Sequence, residues 1–259
     1  MNQNNTLLCL DLGNTTCRGG IWSEGKITDE RVIATKEFCS APKNWIEGWD
    51  NFHEVCFCSV VPAAEGALRS ISFANIEKEP FCLEAVNQSI LPIQYPNPNE
   101  IGSDRISNSY AVFKKYPLTA VVIDLGTATT FDVISEKGGY LGGVIVPGPQ
   151  GMLDYLENRT ALLPKLELKT KDRNVPAIGQ SSILAMMSGL CHGYLPMLNG
   201  ILQKISQEIR NSGEIVRSVI QTGGEARNFL VNGAIVDDSL TLEGLALASI
   251  DQQNTNKYL

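Results

Sequence analysis

Two short segments, Asp11-Leu12-Gly13-Asn14-Thr15-Thr16 and Asp124-Leu125-Gly126-Thr127-Ala128-Thr129, set an aspartate, a glycine and hydroxyl side chains in the same order, 113 residues apart. Glycine at a strand end lets the backbone come close to a phosphate, and the amides and hydroxyls that follow can donate to its oxygens. In the first copy Gly13, Asn14, Thr15 and Thr16 would do this. Asp11 would hold a magnesium ion through water, since magnesium dehydrates reluctantly. A single Asp-x-Gly turn is commonplace; two in matching surroundings point to a phosphate cradle used twice. The stretch Gly20–Ile27 nearly spells a P-loop, but Ile27 stands where a serine or threonine must reach the metal, and Trp22 and Glu24 would crowd a phosphate. Lys26 then reads as a solvated turn lysine.

Two further clusters carry chemistry. Gly102-Ser103-Asp104-Arg105 opens a helix, where Ser103 or Asp104 could cap orphan amides. Arg105 is misplaced in a first helical turn unless an anion lies nearby, which favours an anionic substrate. Thr222-Gly223-Gly224-Glu225-Ala226 follows an apolar strand and is expected to lead into a helix, its glycines leaving backbone bare for an adenine or ribose.

These residues need rigid elements behind them. Apolar runs Leu7–Leu10 and Val121–Ile123 precede the aspartates, and turn-like stretches around Gly25 and Gly138 follow at equal distance. Each copy therefore reads as strand, tight turn, strand, hairpin, strand. Between them the pattern predicts an extended run near Arg31, a short helix near Trp45, a strand Val55–Val60, a helix Pro62–Phe73 and a strand Phe81–Leu83. A proline-rich connection, Leu91–Asn99, leads to a helix from Ser103 to Lys115 that Pro117 stops. The lobe boundary is placed here, giving lobes 1–116 and 117–259. In the second lobe helices are expected over Gln150–Leu163, Ser181–Leu195, Leu198–Arg210 and Leu240–Ile250, with a strand Val216–Gln221. That helical part is a candidate subunit interface.

With 259 residues, 43% of them apolar, the chain can bury a full core. A net charge of −7 argues against binding a phosphate backbone as the main activity, so no nucleic-acid partner is expected. Seven cysteines without a paired C-x-x-C spacing fit buried thiols in a reducing cytoplasm, and two distant histidines make a His-rich zinc site a poor reading. No stretch approaches the length needed to cross a bilayer, so no membrane is expected.

The ordered set Asp11–Thr15, Gly102–Arg105, Asp124–Thr129, Gly142-Gly143 with Pro147-Gly148, and Thr222–Gly224 resembles the type III pantothenate kinases. These belong to the superfamily of actin, sugar kinases and heat-shock chaperone ATPases, and the resemblance spans essentially the whole chain. It implies an α/β, two-lobed, duplicated actin-like ATPase (ribonuclease H-like) fold with mixed sheets and flanking helices. The implied activity is ATP-dependent phosphorylation of pantothenate to 4′-phosphopantothenate, the first step toward coenzyme A, in a cytoplasmic homodimer. By motif match Asp104 is the implied catalytic base and Arg105 the holder of the pantothenate carboxylate. Tyr95, Gly102 and Ser103 fall in the implied substrate site. The nucleotide segment covers Asp11, Leu12, Gly13, Asn14, Thr15, Thr16, Cys17 and Arg18, with Thr127 contacting ATP and Asp124 binding potassium or ammonium. Where the family usually has Gly-x-Asn-Thr, this chain has Gly179-Gln180-Ser181-Ser182; Ser182 keeps the hydroxyl that would contact pantothenate but not the methyl. Competing readings are a non-catalytic nucleotide sensor, an actin-like filament protein, for which the chain is short, and a kinase of another carboxylate-bearing alcohol.

Overall fold

A computed structural model describes residues 6–49, 52–71, 76, 79–168 and 175–256. Two compact units emerge: Met1–Tyr116 with Lys137–Leu141 and Ser239–Leu259, and Pro117–Glu136 with Gly142–Asp238.

In the first unit, β1 (Leu7–Leu12), β2 (Thr16–Ser23), β3 (Lys26–Ala34), β4 (Glu54–Ser59) and β5 (Phe81–Cys82) form one sheet in the order β3-β2-β1-β4-β5. The hairpin strands pair antiparallel, while β4 lies parallel to both β1 and β5. Period-two alternation gives the sheet two faces. Leu8, Leu10, Leu12, Val55 and Phe57 pack on one face with Phe38 of α1 (Thr35–Ser40), Trp45 of α2 (Pro42–Ile46) and Leu68 of α3 (Pro62–Arg69). The expected helix Pro62–Phe73 is thus α3, ending at Arg69; Phe73 lies outside the described residues.

The opposite face of β1 and β4 is covered by α4 (Ser103–Lys115) and α7 (Leu240–Asn256). Burying polar groups there requires partners. Ser107 Oγ donates to the Thr241 carbonyl (2.6 Å), Thr241 Oγ1 to Asn108 Oδ1 (2.7 Å), Tyr110 to Asp251 (2.7 Å), and Ser249 to Glu54 of β4 (2.8 Å). This corrects the expected division into 1–116 and 117–259: α7 belongs to the first unit, because its buried face is completed by α4 and β1. The stretch Lys137–Leu141 joins the first unit as well, where Tyr140 bridges Ile93.

The second unit repeats the topology. Strands β6 (Ala120–Leu125), β7 (Ala128–Ser135), β8 (Gly139–Pro147), β9 (Ser218–Thr222) and β10 (Ile235–Val236) lie in the order β10-β9-β6-β7-β8. Helix α5 (Pro149–Arg159) packs on β7 and on α6 (Ser182–Asn211). The two helices expected on either side of Pro196 are one, α6, which runs through that proline. The lost amide hydrogen bond is offset where Tyr194 and Leu198 are fully buried beside it. No helix follows Thr222–Ala226; the chain turns instead. The buried Gln221 amide explains why, donating to the Ala226 (2.7 Å) and Phe229 (2.9 Å) carbonyls and accepting from the Val231 amide (3.0 Å). Those backbone groups are thereby satisfied without a helix. Among the described residues no helix is long and apolar enough to cross a membrane.

Candidate active site

The first turn, Gly13-Asn14-Thr15, links β1 to β2, with Asn14 and Thr15 exposed. It is held from behind by Thr35, whose amide donates to the Thr15 carbonyl (3.0 Å) and whose hydroxyl donates to the Gly13 carbonyl (2.7 Å). Leu12 and Cys17 are fully buried and Cys17 Sγ contacts Thr35 Oγ1 at 3.7 Å, so of these two only the backbone can meet a ligand. Arg18 forms an ion pair with Glu30, which Ser239 also engages.

Asp11 closes β1 between two register partners, Arg18 on β2 and Cys58 on β4. Parallel pairing puts Cys58 and Asp11 on the same face, and Cys58 Sγ donates to Asp11 Oδ1 at 3.4 Å. Burial pushes the Cys58 thiol well above its usual range, and the negative charges of Asp11 and Asp104 push it further, so it stays protonated and is the donor. One thiol thus feels both carboxylates.

Asp104 lies in the first turn of α4, accepting from the Arg105 amide at 2.8 Å. Burial raises its pKa, opposed by that amide bond and by the Arg105 guanidinium. A Cβ on Gly102 would sit 2.6 Å from Asp104 Oδ1 and 3.6 Å from Val60 Cγ1, so a larger residue there would displace the Asp104 carboxylate. Of the two capping candidates Asp104 takes an amide, whereas the buried Ser103 hydroxyl accepts from Ser59 N (2.9 Å) and donates to Ser59 O (2.8 Å). Arg105 lies 6.0 Å from the ring of the fully buried Tyr140, which in turn packs 6.1 Å from Tyr95. The first unit therefore brings Asp11, Asp104, Arg105 and Tyr95 onto one framework.

In the second unit the turn is Gly126-Thr127, both exposed, and Gly148 donates its amide to the Thr127 carbonyl at 3.1 Å. Asp124 lies between Thr130 on β7 and Thr222 on β9. Gly223, at φ +93°, passes so close that a Cβ would come within 2.4 Å of Asp124 Oδ1 and 2.6 Å of the Leu125 carbonyl. Ser182 begins α6 and is exposed; its neighbour Ser181 caps the helix, accepting from the Leu184 amide at 3.2 Å. Among the described residues no group of three or more His, Cys, Asp or Glu side chains is arranged to hold a metal.

Sequence reasoning missed Cys58, Ser59, Tyr140, Thr35 and Tyr194, whose roles depend on strand register and helix packing. A signal existed for one of them: Cys9 and Asp11 on β1 share the two-residue spacing of Cys56 and Cys58 on β4, and the register pairs them directly.

A sheet of the same strand order built twice, each with an aspartate closing its central strand beside a glycine turn, defines the actin-like ATPase fold. MreB 5 of Spiroplasma citri bound to AMPPNP shares it, with a TM-score of 0.52 at 10% identity over all of both chains. The model of the type III pantothenate kinase family matches residues 7–204. The chain is 39% identical to the type III pantothenate kinase of Rhodospirillum centenum, covering 96% of this chain and 98% of that one. It is 35% identical to that of Koribacter versatilis, covering 97% and 98%. The chain belongs to the type III pantothenate kinase family. It phosphorylates pantothenate at the expense of ATP, giving 4′-phosphopantothenate, the opening step of coenzyme A synthesis.

Proposed function

We propose that Asp104 receives the proton of the pantothenate hydroxyl as that oxygen attacks the γ-phosphorus of ATP, while the bond from that phosphorus to the ADP leaving oxygen breaks. The observation that carries this reading is that neighbouring residues at the end of β4 hold both groups: Cys58 Sγ donates to Asp11 Oδ1 at 3.4 Å, and Ser59 is hydrogen-bonded to Ser103, the residue before Asp104. Phosphoryl transfer has a loose transition state, so positioning and charge neutralisation dominate and a carboxylate taking the proton late is sufficient. Arg105 clamps the pantothenate carboxylate by a charge-assisted hydrogen bond, with Tyr140 and Tyr95 supplying a wall beside it. Gly102 leaves the space that the Asp104 carboxylate occupies.

The amides and hydroxyls of Gly13–Thr16 cradle the phosphates, with backbone contacts extending to Cys17 and Arg18, and Thr127 contacts ATP. Asp11 holds magnesium through water; bound there, the ion would neutralise phosphate charge. Asp124, with the carbonyl of Leu125 beside it, binds potassium or ammonium. The Ser182 hydroxyl contacts pantothenate. The protein acts as a homodimer in the cytoplasm, whose reducing conditions suit a chain of seven cysteines without a paired C-x-x-C spacing. Supporting the dimer, α5 and α6 of the second unit enclose an apolar groove of about 550 Å³ including Met152, Leu156, Met186 and Leu190, beside exposed Tyr155 and Ile183.

Asp104→Asn tests the central assignment. It is expected to lower kcat by about 10²–10⁴-fold while calorimetric ATP affinity is retained; near-normal turnover removes Asp104 from the reaction.

A further inference from the structure

We propose that the end of β4, Cys58-Ser59, is a positioning device that fixes the spacing of Asp11 and Asp104. In this arrangement the Cys58 thiol orients the Asp11 carboxylate and the Ser59 backbone, through Ser103, holds the turn that carries Asp104. The inference rests on the roles of Asp11 and Asp104 proposed above.

Cys58 is the direct parallel partner of Asp11 and points to the same side, so its S–H reaches Oδ1 at 3.4 Å. An ionised carboxylate offers about four acceptor positions. A neutral donor on Oδ1 restrains the plane of the group without adding a charge to it. The next residue makes a two-bond clasp: Ser59 N–H donates to Ser103 Oγ at 2.9 Å and Ser103 Oγ–H donates to Ser59 O at 2.8 Å. One further on, Val60 N–H donates to the Leu12 carbonyl at 3.2 Å, and Ser59 Oγ closes the bend by accepting from the Val61 amide at 3.2 Å. Three successive residues thus grip Asp11, the Asp104 turn and the end of β1. Ser103, with its hydroxyl both donating and accepting in the clasp, acts on the reaction through Asp104 and not as a pantothenate contact.

The experiment compares full-length Cys58→Ala, Cys58→Ser and Ser103→Ala with the unaltered protein, at a temperature where melting curves show each to be folded. Calorimetric ATP titrations with and without Mg2+ are run beside steady-state kinetics. Cys58→Ala is expected to weaken Mg2+-dependent ATP binding at least threefold and to raise the Mg2+ concentration for half-maximal activity similarly, with pantothenate KM unchanged. Cys58→Ser retains a donor and is expected to stay within twofold of the unaltered protein. Ser103→Ala is expected to lower kcat tenfold or more at unchanged pantothenate KM. Unchanged Mg2+-dependent binding in Cys58→Ala overturns the thiol's role, as does a tenfold loss in Cys58→Ser, which also decides the matter if the alanine variant does not fold. A shifted pantothenate KM at normal kcat in Ser103→Ala makes Ser103 a substrate contact and overturns the clasp. Asp104→Asn run in parallel separates the two failures: if it is inactive while Cys58→Ala and Ser103→Ala behave normally, the positioning device alone is wrong, whereas an active Asp104→Asn removes the base itself.

Discussion

The two hairpin modules share a topology but differ in what surrounds their common Asp-Leu-Gly. β1 and β6 carry the same Asp-Leu-Gly, yet the first turn has three residues, Gly13–Thr15, and the second only two, Gly126–Thr127. The difference is made up at the far hairpin, and β3 and β8 end in equivalent places. Asp11 faces a thiol and an arginine, whereas Asp124 faces two threonines and the bare backbone of Gly223. The first turn is propped locally by the Thr35 hydroxyl. The second is propped by a distant helix: Tyr194 of α6 meets Thr129 Oγ1 at 2.6 Å and donates to the Pro147 carbonyl at 3.2 Å. The two modules thus share a scaffold and differ in the neighbours of one aspartate.

The sharpest way to break this comparison is to remove each carboxylate in turn. Asp11→Asn is expected to lower kcat by about 10²-fold or more and to abolish the Mg2+ dependence of ATP binding. Asp124→Asn is expected instead to weaken activation by K+ or NH4+ while the Mg2+ response persists. Identical responses to both ions in the two variants would mean that the modules do one job. Next in size, Arg105→Ala removes a charge-assisted clamp of about 1.5–3 kcal/mol, or roughly tenfold or more in pantothenate KM, with a smaller effect on kcat. An unchanged KM would free Arg105 from the carboxylate.

The pH response separates the modules as well, since Asp104 beside the first has a raised pKa. Protonation silences a base, so activity is expected to fall with decreasing pH through a limb lying above the ordinary 3.8. The sign for stability is opposite. The folded state keeps the Asp104 proton where the unfolded chain has released it, so stability declines as pH rises from 3.8 through the folded value. Asp104→Asn is therefore expected to melt higher than the unaltered protein at neutral pH, a gain that vanishes below 3.8. In the second module, Gly223→Ala forces a side chain onto a positive φ and is expected to cost about 1–3 kcal/mol in denaturant unfolding. Smallest are the props: Thr35→Val and Tyr194→Phe should each cost about 1 kcal/mol, the first altering ATP affinity through the Gly13 turn and the second acting through Thr129.

The hairpins were legible because alternation and glycine turns are local signals, and the helix Ser103–Lys115 has the predicted ends because Gly102 and Pro117 mark them. Other features depend on distant partners. Pro196 reads as a helix stop until the burial of Tyr194 and Leu198 is known. The turn after Gly224 reads as a helix start until the Gln221 side chain is seen to occupy its carbonyls. In the site, Asp104, Arg105 and both Asp-Leu-Gly turns announced themselves by residue type, but Cys58 and Ser59 matter only through the register that sets them beside Asp11 and Ser103.

Helix α7 has a consequence for the birth of the protein. The sheet of the first unit is complete once β5 has been synthesised, yet the face carrying Cys9, Asp11, Cys56 and Cys58 is covered only when α7 docks on α4 and β1. On the ribosome that face must wait, covered at most by α4 on β4, while the whole second unit is made. The second unit, contiguous but for Lys137–Leu141, can close first. The half that holds the proposed base is then the last to mature, so an incomplete chain is left with a finished second sheet and an unfinished catalytic one.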